Sequence, residues 1–126
     1  SRGYSPMRAY GQSKLANLLH ARLLARKLEG SAVTVNAVHP GVIQTNLGRD
    51  GGGLMKLTGL LAKPFMKTIP QGAATQCYVA THPDLDGVSG EYFSDCAVTR
   101  SSALGRDMEL AEQLWEETER LLTDYL

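Results

Sequence analysis

The sequence predicts an α/β fold built on a buried parallel sheet, with this chain supplying one part of it. Three observations carry that reading. Leucines recur at helical spacing between Ala9 and Leu28, a β-branched run follows from Val33 to Val38, and a second amphipathic helical pattern closes the chain. An apolar run such as Val33–Val38 belongs to a strand covered on both faces, which needs neighbouring strands and helices on either side. About two strands can be read in the 126 residues. The missing strands are expected before Ser1, and a chain that opens on serine fits a truncated start. Residues 1–126 are therefore expected to be the C-terminal half of one larger domain, in the order helix, strand, flap, helix, strand, helix.

Each element has its own justification. In the first helix Leu15, Leu18, Leu19, Leu23, Leu24 and Leu28 form a broad apolar face, Arg22, Arg26, Lys27 and Glu29 are polar, and Gly30 is a C-terminal stop. The strand Val33–Val38 ends at the turn His39-Pro40-Gly41. From Leu47 to Pro70 the periodicity loosens. Gly51, Gly52 and Gly53 precede Leu54, Leu57, Leu60, Leu61, Phe65 and Met66, with a break at Pro64, which predicts a flap with short helices. Gln71 to Thr81 reads as a helix stopped by His82-Pro83, and Gly90 to Phe93 as a short strand. The last helix begins near Asp107. Its Ala111, Leu114, Trp115, Leu121, Leu122 and Tyr125 keep helical spacing, opposite Glu112, Glu116, Glu119 and Arg120.

Composition narrows the function. With 43% apolar and 21% charged residues the chain is an ordinary globular sequence. Thirteen basic and thirteen acidic side chains cancel, and no basic run is interleaved with aromatics, so no nucleic-acid partner is expected. Cys77 and Cys96 are too few for a disulfide framework and are read as small buried hydrophobes, reduced in a cytoplasmic setting. No metal site is expected, because His39 has no second ligand at metal spacing and is read as structural. No apolar stretch reaches the length of a membrane span, and no secretory leader opens the sequence.

The chemistry lies in Tyr10-Gly-Gln-Ser-Lys14. A spacing of four puts phenol and ammonium on one helix face. A phenol ionises near pH 10 in water, so proton transfer near neutrality requires a shift of about three units, roughly 4 kcal/mol. One positive charge at about 6 Å supplies roughly 3 kcal/mol at an effective dielectric near 20. The pair is thus a sensible proton-transfer device. The same spacing also arises by chance, as a tyrosine at the lip of an amphipathic helix with a solvated lysine one turn later.

Longer strings break the tie. Ala9-Tyr-Gly-Gln-Ser-Lys-Leu-Ala-Asn17, then Val35-Asn-Ala-Val-His-Pro-Gly-Val-Ile-Gln-Thr45, then Gly90-Glu-Tyr-Phe-Ser-Asp-Cys96 resemble the short-chain dehydrogenase/reductase family. Within it they look most like the retinol dehydrogenase-like branch, which includes WW-domain-containing oxidoreductases and a chloroplast-envelope relative. The resemblance implies a Rossmann-type doubly wound parallel sheet, with a nicotinamide dinucleotide across the carboxyl ends of the strands. It implies that Tyr10 is the catalytic acid or base and that Lys14 hydrogen-bonds the nicotinamide ribose while favouring the phenolate. Pro40 and Gly41 would form the turn that approaches the cofactor. Val42 would contact the nicotinamide carboxamide through its backbone, and Thr45 the carboxamide or diphosphate through its hydroxyl. NADP is the expected cofactor, with NAD the alternative.

The same resemblance makes residues 54–69 the family's variable substrate loop, whose apolar content suits a lipophilic alcohol or carbonyl such as a retinoid or steroid. Lys56, Lys63 and Lys67 in that segment support a weaker reading, contact with a membrane surface. The helix at residues 10–28 is a candidate homo-oligomer interface. Ser13 lines the pocket or packs, and Glu91 and Asp95 form a carboxylate pair or are solvated strand ends. Asn17 shares the Tyr10 face but does not match the family's catalytic asparagine, which belongs to an earlier helix. The family's Thr-Gly-x-x-x-Gly-x-Gly turn, its Asn-Asn-Ala-Gly segment and its catalytic serine have no counterpart in these residues, and Gly51-Gly52-Gly53 lacks the required spacing. The 126 residues alone are therefore expected to catalyse weakly, and a non-catalytic binding or scaffold remnant of the same fold is the alternative. A sugar-nucleotide epimerase is a third reading, opposed by the compact ending after one last helix.

Overall fold

The computed structural model describes residues 3–43, 66–123 and 125. Among them are α1 (Pro6–Lys27), β1 (Ala37–His39), α2 (Ile69–Thr81), β2 (Tyr92–Ser94), β3 (Ala97–Val98) and α3 (Met108–Leu122), with short 3-10 turns at Pro83–Leu85 and Leu104–Arg106. The strands hydrogen-bond in the order β1-β2-β3. No helix of the described residues is long and apolar enough to cross a membrane. The chain forms two compact units, one of Ser1–Ala37, Asp86–Tyr92 and Val98–Leu126, the other of Val38–Leu85 and Phe93–Ala97.

The first unit is organised by α1 and α3. Pro6 starts α1 where its missing N–H costs nothing and its fixed φ already suits a helix. Arg26 and Lys27 complement the negative end of the helix, and the Leu28 N–H closes it on the Leu24 carbonyl at 3.0 Å. The apolar spacing then does what it predicts: Leu19 and Leu23 are buried against Ala111 of α3, with Leu15, Met108, Leu110, Leu114 and Trp115 packed round them. Each such leucine contributes about 1.5–3 kcal/mol by leaving water. The His20 ring stacks on Trp115, centroids 5.1 Å apart and planes 12° from parallel, and the Lys27 ammonium lies 4.8 Å from the same indole. Asp107 caps α3 by accepting from the Leu110 N–H at 3.0 Å. Gly105 is buried where a side chain would strike Leu18, its Cβ falling 2.6 Å from Leu18 Cδ2.

The segment before β1 shows why the strand is shorter than its β-branched run. The Val33 N–H is taken by the Ser31 hydroxyl and the Val35 N–H by the Ser89 hydroxyl, so side chains replace ladder partners there. Regular pairing begins where Gly90 N–H donates to Val35 O and Ala37 N–H to Glu91 O, bonds that ascend together along both segments as in a parallel pair. Asn36 locks the register, donating to Val88 O at 2.7 Å and accepting from Glu91 N–H at 3.0 Å. The strand is thus Ala37–His39 rather than Val33–Val38, and half-buried to exposed rather than deeply buried, because it lies at one edge of the described sheet.

In the second unit, α2 starts two residues earlier than the apolar pattern indicates. Thr68 and Gln71 form a capping box: the Thr68 N–H donates to Gln71 Oε1 at 2.9 Å, and the Gln71 N–H to Thr68 Oγ1 at 3.4 Å. The helix buries Gly72 and Thr75, while Tyr78 meets the fully buried Phe93 edge-on at 6.4 Å. Two further expectations are corrected. Cys77 is exposed and Cys96 half-buried, since α2 turns Cys77 away from its Gly72–Thr75 face. A third strand, β3, also joins β2 through the two-residue turn Asp95-Cys96, whose φ angles of +53° and +57° are those of a type I′ hairpin. That turn lacks the usual glycine, which is why the hairpin escapes a sequence reading.

Candidate active site

The dyad sits in the second and third turns of α1. One helical turn brings the Lys14 ammonium to 5.3 Å from the centroid of the Tyr10 ring, over its face, and both side chains are exposed, Tyr10 at 61%. Spacing alone therefore does place phenol and ammonium together. Ser13, between them, donates its hydroxyl to the Tyr10 carbonyl at 2.8 Å, so its first partner is the helix backbone. Asn17, one turn beyond Ser13, is exposed.

The Pro40–Ile43 turn belongs to the second unit. Gly41 has φ +81°, a conformation that glycine adopts freely and other residues only under strain. The turn is fastened by Lys67. Its N–H donates to the Val42 carbonyl at 2.8 Å, and Lys67 pairs with Ile43 as a parallel bridge. The Lys67 side chain folds back over Gly41, where a Cβ would lie 2.8 Å from Cε and 2.9 Å from Cδ and Nζ. Its ammonium ends in an ion pair and hydrogen bond with Asp95. Val42 presents its side chain to solvent, 66% exposed. Thr45 lies outside the described residues, as does the greater part of the proposed substrate loop.

Asp95 is held in turn. Ser94 also hydrogen-bonds its carboxylate at 3.5 Å, and the following Cys96 N–H donates to Thr75 Oγ1 at 3.2 Å, on a threonine only 1% exposed. The Lys67 ammonium, by hydrogen bond first and charge second, holds the Asp95 carboxyl below its usual range, with smaller help from Ser94 and His39. Asp95 is thus more than a solvated strand end, since its carboxylate is engaged by Lys67.

Lys67 is the residue that sequence reasoning misplaced. As one of three lysines in an apolar segment it suggested a basic face, whereas the structure commits it to the Gly41 turn and Asp95. A signal was present in Thr68-x-x-Gln71, whose capping-box pattern fixes the start of α2 and so places Lys67 just outside the helix. Among the described residues no cluster of three or more His, Cys, Asp or Glu could hold a metal ion.

Comparison with known proteins gives the family. Residues 1–81 match the family model described as enoyl-(acyl carrier protein) reductase. The chain is 56% identical over 115 residues to short-chain dehydrogenase TIC 32 B, chloroplastic, of Brassica napus, an alignment covering 90% of this chain and 36% of that protein. It is 44% identical over 119 residues to retinol dehydrogenase 14 of Mus musculus, covering 92% of this chain and 36% of that one. Against WW domain-containing oxidoreductase of Gallus gallus it is 42% identical over 124 residues, 98% of this chain and 30% of that one. The chain spans about a third of the length of the curated relatives it matches. Since the family model takes in both the helix that carries Tyr10 and Lys14 and the turn at Pro40–Ile43, and the relatives extend the likeness over most of the chain, this chain belongs to the short-chain dehydrogenase/reductase family.

Proposed function

We propose that the protein interconverts an alcohol and a carbonyl with a nicotinamide dinucleotide, and that Tyr10 and Lys14 handle the proton and the cofactor. The observation that carries this reading is the dyad itself: a phenol and an ammonium 5.3 Å from ring centroid to nitrogen, on an exposed face at the start of α1, in a family of oxidoreductases. The donor set suits the cofactor, because an ammonium and a phenolic hydroxyl carried one turn apart on the same exposed helix can both donate to the hydroxyls of a ribose. When bound, the nicotinamide supplies or takes the hydride.

The work of the chain is positioning and proton transfer. In the reductive direction Tyr10 Oη gives its proton to the carbonyl oxygen, and in the oxidative direction it takes the proton of the alcohol. Lys14 holds the ribose through its ammonium donors, one helical turn from the Tyr10 ring. Pro40, Gly41 and the Val42 backbone would form one wall for the nicotinamide carboxamide, with Thr45 adding a hydroxyl.

NADP is the proposed cofactor and a lipophilic, retinol- or steroid-like alcohol or carbonyl the proposed substrate. The likeness to proteins named retinol dehydrogenase and the apolar residues between Leu54 and Met66 support that choice. Pairing of two copies along residues 10–28 belongs to the same proposal, but Leu15, Leu19 and Leu23 already face α3 and are not its surface. The membrane reading loses Lys67 to Asp95.

The test is Tyr10→Phe in the full-length protein, which removes one hydroxyl from an exposed position. Turnover of a lipophilic aldehyde with NADPH should fall by about 10²–10⁴-fold, with circular dichroism and dinucleotide affinity unchanged. Turnover near wild type would overturn the assignment and favour a non-catalytic binding protein.

A further inference from the structure

We propose that Lys67 and Asp95 are positioning residues that set the Pro40–Ile43 turn in its cofactor-receiving shape, a role resting on the reading of that turn given above. Four links, all within the second unit, make the chain of constraint. The Lys67 backbone fixes the outer side of the turn through Val42 O and the bridge to Ile43. Its side chain occupies the space over Gly41, so the turn and the lysine stem cannot move independently. Asp95 holds the ammonium at the end of that stem. Thr75, buried in α2, holds the Asp95-Cys96 hairpin turn through the Cys96 N–H.

A lysine with one end in a bridge and the other in an ion pair has given up rotamer freedom that a solvated lysine keeps. The Lys67 side chain is 24% exposed, against 71% for Asp95. The lysine side chain is therefore partly shielded, and the pair is screened less than two fully solvated charges. The geometry also explains why residue 41 is glycine. Its positive φ demands one, and a methyl there would displace the lysine stem and release Asp95. The glycine thus makes room for Lys67, not only for a ligand. Lys67 in this view touches no reacting atom and acts through the turn.

Two variants isolate the pair. Asp95→Asn removes the charge and keeps the shape, while Lys67→Met keeps the aliphatic stem over Gly41 and removes the ammonium. In the full-length protein, the dissociation constant for NADP(H), read by binding fluorescence, should rise about fivefold in either variant and about the same in the double variant, as expected for one shared interaction. Turnover at saturating dinucleotide should stay at the wild-type value, and Asp95→Glu should recover most of the affinity. Exchange of the Lys67 amide hydrogen should quicken in both single variants, with the unfolding midpoint within about 2 °C of wild type. Unchanged exchange in both variants overturns the proposal, because the pair then restrains nothing. Faster exchange with unchanged affinity also overturns it, leaving only a structural strut. A wild-type protein that binds no nicotinamide dinucleotide would instead overturn the functional reading, and the cofactor role of the pair with it, while the exchange rates would still report whether the turn is restrained.

Discussion

Ile43 lies directly over Gly72, so that a Cβ at position 72 would fall 2.2 Å from Ile43 Cδ1 and 2.6 Å from its Cγ1. The first turn of α2 therefore meets the residue after the Pro40–Val42 turn through a bare backbone. With Lys67 bonded to Val42 and bridged to Ile43 just before the helix begins, the same few residues start α2 and fasten the turn. A helix glycine here is a packing requirement, set against its lower helix propensity.

Gly72→Ala measures that requirement. On propensity alone alanine should stabilise an interior helix position by about 1 kcal/mol. Overpacking costs typically about 1–3 kcal/mol, more where backbone must move, and a 2.2 Å contact cannot be relieved without moving Ile43. The net expectation is a loss of about 1–2 kcal/mol in urea unfolding. Ile43→Ala, by removing the colliding atoms, should make Gly72→Ala neutral or stabilising in that background. A Gly72→Ala protein more stable than wild type would show that Ile43 does not press on this glycine.

The hairpin turn gives the opposite expectation for a glycine. Cys96 holds φ +57° at the second position of a type I′ turn, where Asp-Gly is among the favoured pairs and a side chain costs about 1 kcal/mol. Among the described residues its thiol makes a weak hydrogen bond, Sγ to Thr75 Oγ1 at 3.9 Å, while the stronger bond to Thr75 comes from the backbone N–H and survives substitution. Cys96→Gly should therefore raise stability by about 0.5–1 kcal/mol. Cys96→Val, branched at Cβ and disfavoured at positive φ, should lower it. Thermal unfolding of the two variants side by side decides the matter, and a loss in Cys96→Gly would mean that the thiol packs better than its distances indicate.

The elements whose information is local were legible in the sequence. The leucine spacing of α1, the acidic outer face of α3 and the His82-Pro83 stop of α2 each appear where periodicity and turn chemistry put them. The Tyr10–Lys14 pair was legible for the same reason, since a four-residue spacing on one helix is a local fact. What escaped depends on partners distant in sequence. Val33 to Asn36 carry β-branched residues that favour a strand, yet Ser31 and Ser89 take their N–H groups, and no property of residues 33–36 announces that. The Lys67–Asp95 pair joins residues 28 apart, and Lys67 looks like any other lysine of an apolar segment until the start of α2 is known. Cys77 misled through composition, because cysteine is usually buried, whereas its position on α2 is decided by which face meets Ile43 and Phe93.

The Lys67–Asp95 pair also has a pH signature whose sign is fixed. Asp95 has its folded-state pKa lowered, chiefly by the Lys67 hydrogen bond and then by its charge. A carboxyl lowered on folding contributes stability that is complete above its unfolded value, near 3.8, and that is lost as pH falls through the folded value below it. The difference in unfolding free energy between wild type and Asp95→Asn should therefore be flat from about pH 5 to 8 and shrink below pH 4. Because Asp95 is largely exposed, added salt should also reduce the difference at neutral pH. Denaturant titrations of both proteins across that range supply the measurement. A difference that persists undiminished at pH 2 would mean that the asparagine variant is destabilised by something other than the lost charge, and the ion pair would no longer account for how the Gly41 turn is held.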